Sequence, residues 1–222
     1  MTGSRSNGGL GFVRARQRLV QRLEAQGIAD RRVLDAFAAV ARHELIPEAL
    51  EPRAYQDAAL PIGGGQTISA PGVVAAMTAA LELDGTETVL EVGTGSGYQA
   101  AILGRLALRV ISIERLPRLA AEARRALDRL GVTNVVVHLG DGTAGRVSEA
   151  PFDAIVVTAG GPDIPQPLLD QLAIGGRLVG PFGSREEQSL YRVRRTGPAQ
   201  FERELLGRCR FVDLVVAHGW AA

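Results

Sequence analysis

The segment Val89-Leu90-Glu91-Val92-Gly93-Thr94-Gly95-Ser96-Gly97-Tyr98 constrains this chain more than any other. An apolar run that ends in alternate glycines and opens into a helical pattern reads as a strand, a sharp turn and a helix start. Around it, apolar runs alternate with helical patterns: TVLEV, a helix over 98–107, RVISIE, a helix over 118–130, NVVVHL, then DAIVVT and GRLVG. Runs of β-branched residues without polar alternation are what a parallel sheet covered on both faces requires. The pattern predicts an α/β fold with a doubly wound, mostly parallel sheet.

The flanks complete this outline. Residues 1–11, MTGSRSNGGLG, read as a disordered tail, polar and rich in glycine. Val13, Val20 and Leu23 then recur at helical spacing up to Gly27, and Asp30 is placed to cap a second helix. After Gly183, SLYRVRRT and FERELLGRCRFVDLVV predict antiparallel strands closing one edge of the sheet. One domain over 12–222 follows: N-terminal helices and a glycine-rich loop (12–82), a ligand-binding core (83–182) and C-terminal strands (183–222).

Composition removes several functions. All 25 basic residues are arginine, so Schiff-base and P-loop chemistry, which need a lysine amine, are excluded. A single cysteine, Cys209, and three histidines leave no disulfide and no closed Cys/His zinc site. The net charge of +1 provides no field for gripping nucleic acid or an anionic membrane. No apolar leader core and no run of about 18 apolar residues stands out, so the expectation is a cytoplasmic protein without membrane attachment. Both monomer and dimer stay open, with the monomer preferred.

The glycine turn selects its ligand by what surrounds it. A dinucleotide fingerprint would need its third glycine at position 98, where this chain has Tyr98. Glu91, two residues before Gly93, would repel a pyrophosphate. S-adenosylmethionine, cationic and free of phosphate, suits a turn with Gly93, Gly95 and Gly97 beside an acidic residue. Glu114 ends the next strand 21 residues after Gly93, near the ~20-residue offset at which an acid reaches ribose hydroxyls. Asp141-Gly142 follows the third strand, where the carboxylate would accept from the adenine amine. Upstream, LPIGGGQTIS (60–69) reads as a flexible loop that packs on a ligand, and Ser69 by itself reads first as the N-cap of a helix opened by Pro71.

Together LPIGGGQTIS with the following AP, VLEVGTGSGYQAA, the SIE ending at Glu114, GDG (140–142) and PFDAIVVTA (151–159) resemble the protein-L-isoaspartate O-methyltransferases, from about Val13 to Val215. The resemblance implies a Rossmann-like class I methyltransferase fold. It implies methyl transfer from S-adenosylmethionine, leaving S-adenosyl-L-homocysteine, to the α-carboxyl of L-isoaspartyl residues in damaged proteins and peptides. Ser69 is the implied active-site residue, Gln66, Thr67, Ile68 and Val212 the implied substrate contacts, and Glu91, the glycines, Glu114 and Asp141-Gly142 the implied cofactor residues. Two departures stand out: Asp213 where the family has proline in R-F-V-P-L, and Ala159-Gly160-Gly161-Pro162 in a turn that is tighter in the family. They leave two alternatives, a methyltransferase of the same fold with another substrate and an adaptor that binds S-adenosylmethionine without turnover.

Overall fold

The computed structural model describes residues 5–215 and 217–220. Helices α1 (Arg5–Ala25) and α2 (Arg31–Ala39) lead into a two-stranded hairpin, β1 (Leu60–Gly63) and β2 (Gln66–Ile68), and then helix α3 (Pro71–Ala80). The core follows as β3 (Thr88–Val92), α4 (Tyr98–Leu103), β4 (Arg109–Glu114), α5 (Pro117–Arg129), β5 (Val135–Leu139), β6 (Phe152–Val157), α6 (Gln166–Asp170) and β7 (Leu172–Gly183). Strands β8 (Gln188–Gly197) and β9 (Gln200–Cys209) finish the sheet. Its order is β5-β4-β3-β6-β7-β8-β9, parallel from β5 through β7 and antiparallel from β7 to β9.

The apolar runs are buried as their composition requires. Val89 joins a layer with Phe37, Leu81 and Ile102, whereas Leu90 and Val92 join Ile111, Ile155, Leu168 and Phe182. The sheet is therefore covered on both faces. The strand order reverses at β3, with β4 on one side and β6 on the other. Ligands of open α/β sheets bind beyond the strand ends at such a point, and Gly93 and Thr158 emerge there.

Four boundaries differ from the sequence expectation. Helix α1 begins at Arg5, so only residues 1–4 of the expected tail lie outside the described residues. The glycines there lower helix propensity but contain no proline to block extension of a helix anchored by buried Leu19 and Leu23. The loop at 60–69 is a hairpin: Gly63, Gly64 and Gly65 have φ of 85, 63 and 71° and confine the flexibility to its turn. Helix α4 ends at Leu103, and residues 104–106 continue it only as tighter turns, Arg105 N–H bonding the Ile102 carbonyl and Leu106 N–H the Leu103 carbonyl. The last strand stops at Cys209, and Val212–Leu214 instead cross to the turn after β6.

Candidate active site

The turn after β3 is built from strained and tethered backbone. Gly93, Gly95 and Gly97 have φ of 97, 54 and 85°, a region that side chains disfavour. At Gly93 space is also lacking, since a Cβ would lie 2.4 Å from Thr158 Oγ1. That hydroxyl donates to the Gly93 carbonyl at 2.6 Å, fastening the turn to the end of β6. From the other side Glu114, the last residue of β4, accepts from the Gly95 N–H through Oε2 and from the Leu116 N–H through Oε1, both at 2.9 Å. Each carboxylate oxygen keeps a second lone pair, so Glu114 remains an acceptor toward the cavity it lines.

Glu91 lies beneath this turn and lines none of the three cavities described below. It is fully buried and accepts from the Ser112 hydroxyl, which also bonds the Thr94 hydroxyl. The pair is in register across β3 and β4. Burial pushes the Glu91 carboxyl up to about 8, so it is largely protonated at neutral pH. The charge that was expected to repel a pyrophosphate is therefore absent, and Glu91 supports the turn from behind.

Asp141 is likewise engaged internally. Its Oδ1 accepts from the N–H and hydroxyl of Thr143 at 2.8 and 2.6 Å, and Oδ2 accepts from the Ala217 N–H at 3.0 Å. Gly142 approaches β3 so closely that a Cβ would lie 2.6 Å from Val92 Cγ1. Gly142 lines the cavity beside Glu114, together with Gln66. Gln66, read as a substrate contact, thus stands with the cofactor residues.

Three small cavities follow one another across the strand ends. The first, about 50 Å³, holds Gly93, Glu114, Gly142 and Gln66 and is walled by Leu214 and Val215. The second, about 40 Å³, lies beyond Gly93 and is lined by Thr67, Ile68, Ser69, Gln99, Thr158 and Phe211. The third, about 70 Å³, shares Thr67, Ser69, Thr158 and Phe211 and adds Arg210 and Val212. Ser69 therefore stands where the second and third meet. Helix α3 takes Ala70 as its N-cap with no side-chain cap bond, so Ser69 does not serve as the cap.

Thr158, Phe211 and Gln99 line these cavities without having been assigned from sequence. Thr158 closes the DAIVVT run at a strand end, the same signal that marked Glu114. Three further side chains with titratable groups are held by contacts within the fold. Tyr98 is buried edge-on to Phe37 under the Arg42 guanidinium, 4.8 Å from its ring centroid, and it also lines the second cavity. His138 sits on edge strand β5 with Nε2 3.7 Å from Glu149, and burial lowers its pKa. Cys209 is half-buried, which pushes its thiol up to about 11.

The two departures in the sequence meet in space. Asp213 and Gly160 are bridge partners: Gly160 N–H donates to the Val212 carbonyl and Leu214 N–H to the Gly160 carbonyl, both at 2.8 Å. Neither bond uses the Asp213 N–H, so a proline here would break neither of them. The Asp213 carboxylate accepts from Arg185 Nε at 2.8 Å, and Arg185 lies over the Trp220 ring. Trp220 Nε1–H donates to the Gly160 carbonyl at 3.0 Å. At Gly160 a Cβ would lie 2.3 Å from Gln188 Nε2, which accounts for the glycine.

Comparison with known proteins gives one consistent answer. The family model described as protein-L-isoaspartate(D-aspartate) O-methyltransferase matches residues 14–219. Protein-L-isoaspartate O-methyltransferase 1 of Syntrophobacter fumaroxidans is 56% identical, over 95% of this chain and 99% of that one. Protein-L-isoaspartate O-methyltransferase 2 of Geotalea uraniireducens is 54% identical over 93% and 96%. Among solved structures, a protein-L-isoaspartate O-methyltransferase superposes with a TM-score of 0.80 at 28% identity, covering 89% of this chain and 65% of that one. A Plasmodium falciparum structure named for the same enzyme, solved in complex with S-adenosyl-L-homocysteine, gives 0.78 at 26% identity over 89% and 97%.

Proposed function

The chain belongs to the protein-L-isoaspartate(D-aspartate) O-methyltransferase family, and we propose that it methylates the α-carboxyl of L-isoaspartyl residues in damaged proteins and peptides, with S-adenosylmethionine as donor, so starting their repair. The observation that carries this is the run of three cavities joined at Gly93 and at Ser69. It gives two reactants a common meeting point on Ser69.

The residues fit the cofactor. Glu114 has spare acceptor capacity for ribose hydroxyls, and Gly142, packed on Val92, lines the same cavity, where the adenine end would lie. When bound, S-adenosylmethionine supplies a sulfonium methyl that an anionic oxygen can take up. The substrate α-carboxylate is ionised at neutral pH, given a reference pKa near 4, so no general base is required. What the protein contributes is placement, an effect worth about 7–11 kcal/mol of barrier where geometry is well set. Ser69 donates to one carboxylate oxygen and leaves the other facing the second cavity. Thr67 and Val212 flank the substrate in the third, and Ile68, which is buried, helps close the site to water.

Asp213 lines the first cavity and is not among the residues of the third, so its charge does not face the substrate. With Asp213 and Gly160 explained by their mutual bridge, neither supports an adaptor without turnover. Among the described residues no helix is long and apolar enough to cross a membrane. We further propose a cytoplasmic enzyme acting as a monomer without a nucleic-acid partner, in keeping with its near-neutral charge.

The test is methyl transfer from labelled S-adenosylmethionine to one peptide made with isoaspartate or with aspartate at the same position. Base-labile label in the isoaspartyl form alone is expected. Label in neither form, with cofactor binding intact, would overturn the assignment.

A further inference from the structure

One buried polar group on the wall of the second cavity has no part in the mechanism above. Gln99, on the first turn of α4, is 6% exposed. Its Nε2 donates to Thr78 Oγ1 at 2.9 Å, and that hydroxyl donates in turn to the Val74 carbonyl at 2.7 Å. The single Thr78 proton is thus committed, and Thr78 can only accept from Gln99. This fixes the amide orientation: nitrogen toward α3, oxygen away from it. The oxygen, Oε1, has no hydrogen-bond partner among the described residues, although Gln99 lines the cavity beside Gly93, Gly95 and Ser69. A buried acceptor left unpaired is costly, and a ligand donor would satisfy it.

The identity of that donor follows from the order of the cavities. Gln99 is absent from the third cavity, which takes the substrate. In the proposed function, Glu114 marks the ribose in the first cavity and Ser69 the transferred methyl, so the second cavity receives the amino-acid end of the cofactor. No carboxylate, arginine or histidine lines it, and a cationic group placed there must be met by neutral acceptors. We infer that Gln99 is a positioning residue whose amide oxygen accepts a hydrogen bond from the α-ammonium of S-adenosylmethionine and so holds the methyl toward Ser69. The inference rests on the functional reading above.

Calorimetry without any peptide substrate tests it, using S-adenosyl-L-homocysteine and 5′-methylthioadenosine, which lacks the amino-acid end. Gln99→Met should weaken S-adenosyl-L-homocysteine about tenfold, the scale of one hydrogen bond to a charged donor. It should leave 5′-methylthioadenosine within about twofold. Thr78→Val, which removes the inner bond but keeps the acceptor, should preserve the preference of wild type between the two ligands. Equal weakening of both ligands in Gln99→Met, loss of the preference in Thr78→Val, or no change in S-adenosyl-L-homocysteine affinity would each overturn the role. Should Gln99→Met not fold, wild type is compared on S-adenosyl-L-homocysteine and its desamino analogue, and equal affinity overturns the role. Failure of wild type to methylate an isoaspartyl peptide would count against the functional reading alone, since these affinities are measured without an acceptor.

Discussion

The two walls of the cleft are built differently. On the cofactor side the turn after β3 is tied down from three directions: Thr158 from β6, Glu114 from β4, and the buried Glu91–Ser112–Thr94 chain from beneath. On the substrate side Ser69 is left free of the helix cap, and its surroundings are assembled from the hairpin at 60–68 and the segment at 210–212. The first wall is preorganised by side-chain hydrogen bonds from Thr158 and Glu114 to the backbone of the turn. The second is made by packing segments more than a hundred residues apart. Affinity for the cofactor and turnover of the substrate should therefore respond to different substitutions.

The largest effect should come from Glu114→Ala. It removes both the clamps on Gly95 and Leu116 and the ribose acceptor, charge-assisted bonds worth about 1.5–3 kcal/mol each. S-Adenosyl-L-homocysteine binding should weaken about 100-fold or more in calorimetry. Ser69→Ala should instead lower kcat about 10- to 100-fold, with the affinity for S-adenosyl-L-homocysteine unchanged within about twofold. Equal losses of cofactor affinity in the two variants would erase the distinction between the walls.

The same difference governs what could be read from the sequence. Strand runs and the glycine turn are local patterns, and they placed Gly93, Gly95, Gly97 and Glu114 at the strand ends where the structure has them. Ser69 was ambiguous because serine before a proline-initiated helix is also a good cap, and only the packed chain shows Ala70 in that position. Thr158 carries the same strand-end signal as Glu114, whereas Phe211 joins the cleft through long-range packing that no window of sequence displays. Glu91 departs from the sequence expectation for a related reason. Its ionisation depends on full burial, and burial belongs to the folded sheet rather than to the motif.

That burial supports a prediction of intermediate size. The folded-state pKa of Glu91 is about 8 against an ordinary 4.5. Between these values the folded chain holds a proton that the unfolded chain has released, so this group makes stability fall as pH rises through the window. The slope is at most ~1.4 kcal/mol per pH unit. Above the folded value it levels off. Glu91→Gln removes the titration, and urea unfolding at pH 5.5 and 7.5 should show wild type losing stability relative to the variant as pH rises. A constant difference between the two proteins would mean that Glu91 is ionised in the fold.

The smallest effect tests whether the C-terminal crossing belongs to either wall. Asp213→Pro restores the residue expected of the family at a position whose N–H takes no part in the bridge to Gly160. It removes an ion pair with Arg185 whose side chains are 35% and 51% exposed, and such pairs are worth about 0–1 kcal/mol. Trp220 keeps its bond to the Gly160 carbonyl, so the crossing retains its anchor. Stability in urea should change by less than about 1 kcal/mol, with kcat and cofactor affinity close to wild type. A selective fall in cofactor affinity would place the Arg185–Asp213 pair in the cofactor wall, where Asp213 lines the first cavity. A selective rise in turnover would instead mean that the carboxylate opposes the anionic substrate despite its distance from the third cavity, making the crossing part of the substrate wall.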